Sequence, residues 1–175
     1  MIEVEIKLPL KDKEVARRKL KELGAHPIGA EKQMDIYYNA PHRNLAETDE
    51  ALRIRFSKDA SLTYKGPKLD KMSKTREEIV VSIADADQTS AILKALGFDE
   101  VARITKHRET YRLNDFMIMI DNVFGLGTFM EIEASVPKEG DYRSAQDRIF
   151  GLLDRLGLKK EDTIRESYLE LILDR

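Results

Sequence analysis

The chain has 175 residues, 42% apolar and 35% charged, and its 30 basic and 32 acidic side chains leave a net charge of −2. Such near balance excludes a general nucleic-acid surface, which needs a basic excess. The absence of cysteine excludes a disulfide framework or a thiolate metal site. His26, His42 and His107 are too scattered for a zinc motif such as HExxH. There is no basic leader followed by an apolar run and no segment of transmembrane length, so the expectation is a soluble, cytoplasmic protein without a membrane partner. The length suits a single domain over 1–175.

In chain order, Ile2, Val4, Ile6 and Leu8 alternate with Glu3, Glu5 and Lys7, which is the pattern of a strand with one apolar face. Residues 11–23 read as an amphipathic helix stopped by Gly24. Strands follow at about 31–39, 50–57, 60–66 and 72–82, with a hairpin turn at Asp59–Ser61. A helix at 87–96 ends at Gly97. Three further strands fit 100–113, 115–123 and 127–135, the last two joined by a turn at Phe124–Gly127. Helices are predicted at 142–156 and 162–173. Eight strands joined mostly by short turns predict an α+β protein with a mostly antiparallel sheet. Eight strands are also enough to close a β-barrel around one small ligand, with the helices packed outside.

Charge recurs at one parity, strand after strand. Glu3, Glu5 and Lys7 share a face, as do Arg53 and Arg55, Arg76 and Glu78, Lys106 and Arg108, and Glu131 and Glu133, while Lys65 and Asp121 continue the series. A single alternating strand usually just shows its polar face to water. The set reads differently, because the amphipathic helices need the apolar strand faces for their own burial. The charged faces are then left for an enclosed interior, which is costly unless ligands satisfy it. A triphosphate takes several cations, arginine above all, and a hard divalent ion takes carboxylates spaced i, i+2 on one strand face. His107 is out of phase with Lys106 and Arg108 and is expected to point away. Tyr37, Tyr38 and the Met117/Met119 pair are expected to fill the core.

With these residues in place, Glu3-Val4-Glu5-Ile6-Lys7 resembles the ExExK signature of CYTH domains, the triphosphate tunnel metalloenzymes. The resemblance continues in order through Gln33–Tyr38, Leu52–Arg55, Tyr64–Pro67, Arg76–Glu78, Lys106–Arg108, Ile120–Val123 and Leu126–Glu133. The final Arg165–Leu171 is similar to the C-terminus of the class IV adenylyl cyclase branch. The resemblance implies an eight-stranded antiparallel tunnel, with thiamine triphosphatases and inorganic triphosphatases as further relatives. It implies a triphosphate held by Lys7, Arg53, Arg55, Lys65, Arg76, Lys106 and Arg108. Metal ligands would be Glu3, Glu5, Glu78, Asp121, Glu131 and Glu133, with Glu77 competing for the place of Glu78 because a bulge would exchange faces. Lys7 would contact either the phosphates or the metal-site carboxylates, and the catalytic set would be Glu5, Lys7, Asp121 and Glu133. The function so implied is a Mg²⁺- or Mn²⁺-dependent enzyme converting ATP to cyclic AMP and pyrophosphate. The alternatives are a triphosphatase for thiamine triphosphate or tripolyphosphate and a non-catalytic polyphosphate- or nucleotide-binding module. A homodimer is implied by the cyclase branch alone.

Overall fold

Alternating sequences make strands, and strands with one charged face must either find water or close on themselves. In the computed structural model, which describes residues 2–69, 71, 73–137 and 141–174, they close. The described residues form β1 (Ile2–Pro9), α1 (Lys13–Glu22), β2 (His26–Asn39), β3 (Ala51–Phe56), β4 (Ser61–Lys65), β5 (Arg76–Ser82) and α2 (Ala86–Ala95). They continue with β6 (Asp99–Leu113), β7 (Phe116–Val123), β8 (Gly127–Val136), α3 (Tyr142–Leu156) and α4 (Tyr168–Leu173). The strands form a closed barrel in the order β1-β5-β4-β3-β2-β6-β7-β8. Every neighbouring pair is antiparallel. The α+β barrel expected from the sequence is therefore the observed one.

Most of the outer face is apolar and covered, with Ile79 and Val81 of β5 left exposed. Val4, Ile6, Ile118, Ile120, Met130 and Ile132 lie beneath α1 and α3, packed against Leu20, Ile149, Leu152 and Leu153. Ile36, Tyr38 and Ile54 pack with Leu93 of α2, and the Tyr38 hydroxyl lies 2.6 Å from Ser90 Oγ of that helix. Each helix begins with a side-chain cap. Asp12 accepts from the Glu14 and Val15 amides, Asp85 from Gln88, and Asp141 from Arg143 and Ser144. Helix α3 stops at Gly157, whose φ of +67° is the left-handed conformation that favours glycine.

Barrel closure is uneven. Strands β1 and β8 pair along the whole of β1, from Ile2↔Val136 to Pro9↔Phe129. The opposite edge of β1 meets β5 only at Ile2↔Glu77 and Glu3↔Arg76. Its next two inward carbonyls are satisfied by segments outside any strand: Lys74 N donates to Glu5 O at 3.0 Å, and Ile164 N donates to Lys7 O at 2.8 Å. This corrects two expectations. Of the strand predicted over 72–82, only Arg76–Ser82 is regular, and residue 72 lies outside the described residues. Of the helix predicted over 162–173, only Tyr168–Leu173 is α-helical, while Asp162 ends a short 3-10 turn that begins at Lys160. A continuous helix would bury its own Ile164 amide and leave the Lys7 carbonyl unpaired inside the protein. The helix instead starts at Ser167, which forms a capping box with Glu170. Strand β2 begins at His26, five residues before the predicted start at 31, because β6 pairs with it from His26↔Arg112 onward.

Ile132 has no exposed surface and sits between the barrel wall and α3. Ile132→Ala is expected to lower the unfolding free energy by about 2–5 kcal/mol, read from the midpoint of urea denaturation at unchanged slope.

Candidate active site

The same alternation that puts apolar side chains under the helices turns the charged ones inward. A cavity of about 340 Å³ runs through the barrel, within the size range of small-molecule sites. All seven cations expected at the site line it: Lys7, Arg53, Arg55, Lys65, Arg76, Lys106 and Arg108. So do Glu3, Glu5, Glu78, Glu131 and Glu133. The face assignment at Arg76 and Glu78 holds without a bulge, since Lys65 is paired directly with Glu78 across β4 and β5. His107 is exposed, facing away as expected. Tyr38 packs outward under α2, whereas Tyr37 lies inside, on the cavity wall and against Ile104 and Tyr168. Met119 is buried on the inward parity.

The carboxylates divide into two kinds. Asp121 is fully buried and lies behind the cavity wall, held by its neighbours. It accepts from Arg108 Nε at 2.7 Å, from Lys106 Nζ at 3.1 Å and from the Tyr168 hydroxyl at 3.1 Å. Glu131 is bridged by Lys7, 3.1 Å away, and by Arg108. Burial alone would push both carboxyls up, but the adjoining cations outweigh it and hold them below the usual range. In contrast, Glu3, Glu5 and Glu133 converge, each with an oxygen within 4.8 Å of the others'. Burial, then Glu3 and Glu5, push the Glu133 carboxyl well above the usual range. Glu3 is pushed up to about 7 by burial and by Glu78 and Glu5, against the pull of Lys65. Glu78 sits at the edge of this group, paired with Lys65.

The cations divide likewise. Arg55 is locked by two bonds to Asp35, at 2.7 and 2.8 Å. Arg53 reaches Asp35 only at 3.6 Å and donates to Thr63 Oγ1 at 3.2 Å, which leaves its buried Nε without a partner. Arg76 lies 3.7 Å from Asp49, and its Nε is buried and unpaired too. Both guanidinium groups line the cavity and lack the bidentate carboxylate partner that Arg55 has. Burial, followed by Lys74, lowers Lys7 to about 7, and burial, followed by Arg108, lowers Lys106 to about 8.

Three residues escape the sequence reading. Lys74, buried and paired with Glu5, is an eighth cation on the wall, placed by an irregular segment that has no period to read. Asp35 is 1% exposed and collects Arg53, Arg55 and Lys106. Its signal was an acid sharing parity with Gln33 and Tyr37 between the apolar Met34 and Ile36. Tyr168 enters from α4, and nothing in its sequence context shows that it points inward.

A closed antiparallel barrel whose interior carries cations beside a convergent carboxylate trio defines a tunnel-type, charge-lined site. The CYTH domain matches residues 1–168, and the chain belongs to the CYTH family. A protein of Methanocaldococcus jannaschii provisionally named an adenylate cyclase is 47% identical over 173 residues, covering 98% of each chain. The solved structure of the PH1819 protein of Pyrococcus horikoshii superposes with a TM-score of 0.90 at 40% identity, again covering 98% of each chain. A Hippeastrum protein provisionally named an adenylyl cyclase, HpAC1, and described as having a dominant triphosphatase activity shares the fold, with a TM-score of 0.67 at 18% identity over 98% of this chain and 93% of its own. None of the described helices is long and apolar enough to cross a membrane.

The two kinds of carboxylate should respond oppositely to neutralisation. Asp121→Asn leaves Lys106 and Arg108 short of a counter-charge and should cost about 3–5 kcal/mol, as breaking a buried ion pair does. Glu133 has a folded pKa above its unfolded value of 4.5. The stability this confers is fully present below pH 4.5 and is lost as pH rises through the folded pKa. Glu133→Gln, which stays neutral, should therefore leave the metal-free protein at least as stable as the parent at pH 8. Urea denaturation of both variants at pH 8 checks the contrast.

Proposed function

We propose that the protein is a divalent-metal-dependent enzyme acting on the triphosphate of a nucleotide, in the manner of a class IV adenylyl cyclase. The observation that carries this reading is the meeting, in one cavity, of the Glu3–Glu5–Glu133 trio with the incompletely paired guanidinium groups of Arg53 and Arg76. A phosphate-binding surface alone would need the cations and not three converging acids. Three carboxylates and no nitrogen or sulfur ligand suit a hard ion such as Mg²⁺ or Mn²⁺. Such an ion, when bound, would neutralise phosphate charge and activate an attacking or leaving oxygen.

The chain's own residues would do the rest. Arg53, Lys65, Lys74 and Arg76 would hold phosphate oxygens and fix the polyphosphate along the wall, which is most of what phosphoryl-transfer catalysis asks of a protein. Lys7, Lys65, Lys74, Lys106 and Arg108 each have a carboxylate partner and would share that contact with the phosphates, while Arg55, locked by two bonds to Asp35, would contribute mainly field. In the cyclase reaction the ribose 3′-hydroxyl attacks the α-phosphorus, the bond to the bridging oxygen breaks, pyrophosphate leaves and the hydroxyl proton is released. A second reading, hydrolysis of a triphosphate by water, uses the same wall, and the fold is shared with the Hippeastrum protein described as having a dominant triphosphatase activity.

The decisive assay is incubation with ATP, thiamine triphosphate and tripolyphosphate, each with Mg²⁺ or Mn²⁺, with the products identified. Cyclic AMP and pyrophosphate from ATP are expected. Orthophosphate as the main product would establish the hydrolase instead, and failure to bind or turn over any of the three would remove the reading.

Metal binding should also follow pH. Glu3 must lose a proton held up to about pH 7 before it can ligate, so metal affinity should rise as pH rises through that value. The increase in melting temperature given by Mn²⁺ is expected to be small at pH 5, to grow toward pH 8, and to vanish in Glu133→Gln. A pH-independent increase shared by that variant would place the ions elsewhere.

A further inference from the structure

Helix α4 lines one side of the cavity, and its Tyr168 is the most deeply buried of the side chains it contributes. Tyr168 is 4% exposed and packs edge-on against Phe129 of β8, with ring centroids 5.3 Å apart. Two lysines of the cavity wall lie over its ring: Lys7 Nζ is 3.6 Å from the centroid and Lys106 Nζ 5.0 Å. Its hydroxyl donates to Asp121 Oδ2 at 3.1 Å, the carboxylate that also accepts from Lys106 and Arg108. A single side chain thus touches both lysines directly and the arginine through one shared carboxylate.

The surrounding chain is arranged to deliver that ring. Ile164 N is bonded to Lys7 O, and Lys7 Nζ donates to Glu166 O at 3.3 Å. Ser167 then starts the helix by capping it, and Glu170 is anchored to Lys68 at 2.8 Å. The ammonium of Lys7 sits among the Glu131 carboxylate, the Glu166 carbonyl and the Tyr168 face, with the ammonium of Lys74 as a like-charged neighbour. A lysine has four rotatable bonds and a point charge with no preferred direction, so a buried one is placed only by what surrounds it. An aromatic face attracts a desolvated ammonium through its quadrupole without taking a proton from it and without adding a negative charge. A second carboxylate in the same place would add to the pairing that Glu131 and Asp121 already give the two lysines.

We propose that Tyr168 is a positioning residue of the polyphosphate site: its ring sets the ammonium groups of Lys7 and Lys106, and its hydroxyl sets Asp121 and, through it, Arg108. The role rests on the reading above, that these cations face the phosphates. A residue that merely filled space would be replaceable by any apolar side chain of similar bulk. Tyr168 uses its π face and its hydroxyl separately, so phenylalanine and leucine divide the two functions.

The test compares Tyr168→Phe and Tyr168→Leu with the parent. In protein labelled with ¹³C-lysine, the ring current should shift the ε-methylene protons of Lys7 upfield. That shift should persist in Tyr168→Phe and disappear in Tyr168→Leu. In kinetics with the triphosphate the parent uses, Tyr168→Leu, which removes ring and hydroxyl, should raise KM about tenfold or more, whereas Tyr168→Phe, which removes the hydroxyl alone, should raise it by a smaller factor. Parent-like kinetics in a folded Tyr168→Leu, or equal impairment of the two variants, would overturn the proposal. Should Tyr168→Leu not fold, the parent and Tyr168→Phe still decide it: no shifted lysine signal in the parent, or parent-like kinetics in Tyr168→Phe, counts against it. A parent that turns over no triphosphate fails the functional reading, while the ring-current shift still reports separately on whether Tyr168 holds Lys7.

Discussion

Charge enclosed by a low-dielectric wall must be compensated, and this constraint orders the whole molecule. Closing eight alternating strands moves their charged faces out of bulk water and leaves the apolar faces outside for the helices. Every other feature of the interior follows from how the resulting charges are matched. Where carboxylates and cations alternate closely, as in Asp121 with Lys106 and Arg108, or Asp35 with Arg55, they satisfy one another. Where like charges meet, as in the Glu3–Glu5–Glu133 trio, the repulsion is of a kind that protons or a cation relieve.

The interior is therefore uneven along its wall. Strands β6 and β7, with Glu131 of β8, hold the more finished network, in which Lys106 and Arg108 are matched to Asp121 and Glu131 and the C-terminal segment packs against them. The stretch of wall from Glu133 on β8 through β1 and β5 to β3 is the unfinished one, with the raised carboxyls of Glu3 and Glu133 and the unpaired nitrogens of Arg53 and Arg76. The finished part gives rigidity to the unfinished part. A site preorganised to take anion and metal together has to store its unsatisfied charge in a frame that does not collapse onto it. The locked pairs and the apolar shell under α1 and α3 supply that frame.

Much of this was legible in the sequence because strand period and charge period coincide. The parity of Glu3, Glu5 and Lys7 against Ile2, Val4, Ile6 and Leu8 gave the faces of β1, and the same reading placed the cations of β3 to β6 on the wall. What escaped lies where the backbone leaves its period. Lys74 sits in an irregular segment that completes the β1 edge, and Ile164 does the same farther along. The residues before Tyr168 have a helical pattern yet run extended, because the Lys7 carbonyl requires an amide partner. Which carboxylates pair internally and which remain for a ligand was not readable either. Glu131 and Glu133 look alike as an i, i+2 pair. Only the register against Lys7 and Glu5 on β1 separates the neutralised one from the crowded one.

The central claim is that the unfinished part of the wall takes a polyphosphate and its metal together. The most direct measurement is a crystal structure of the protein with Mn²⁺ and tripolyphosphate, using the anomalous signal of manganese to locate the ions. The account predicts an anomalous peak within coordination distance of Glu3, Glu5 and Glu133, with phosphate oxygens on Arg53 and Arg76. Manganese bound outside the barrel, or a polyphosphate seated on the outer surface with the interior unchanged, would contradict it.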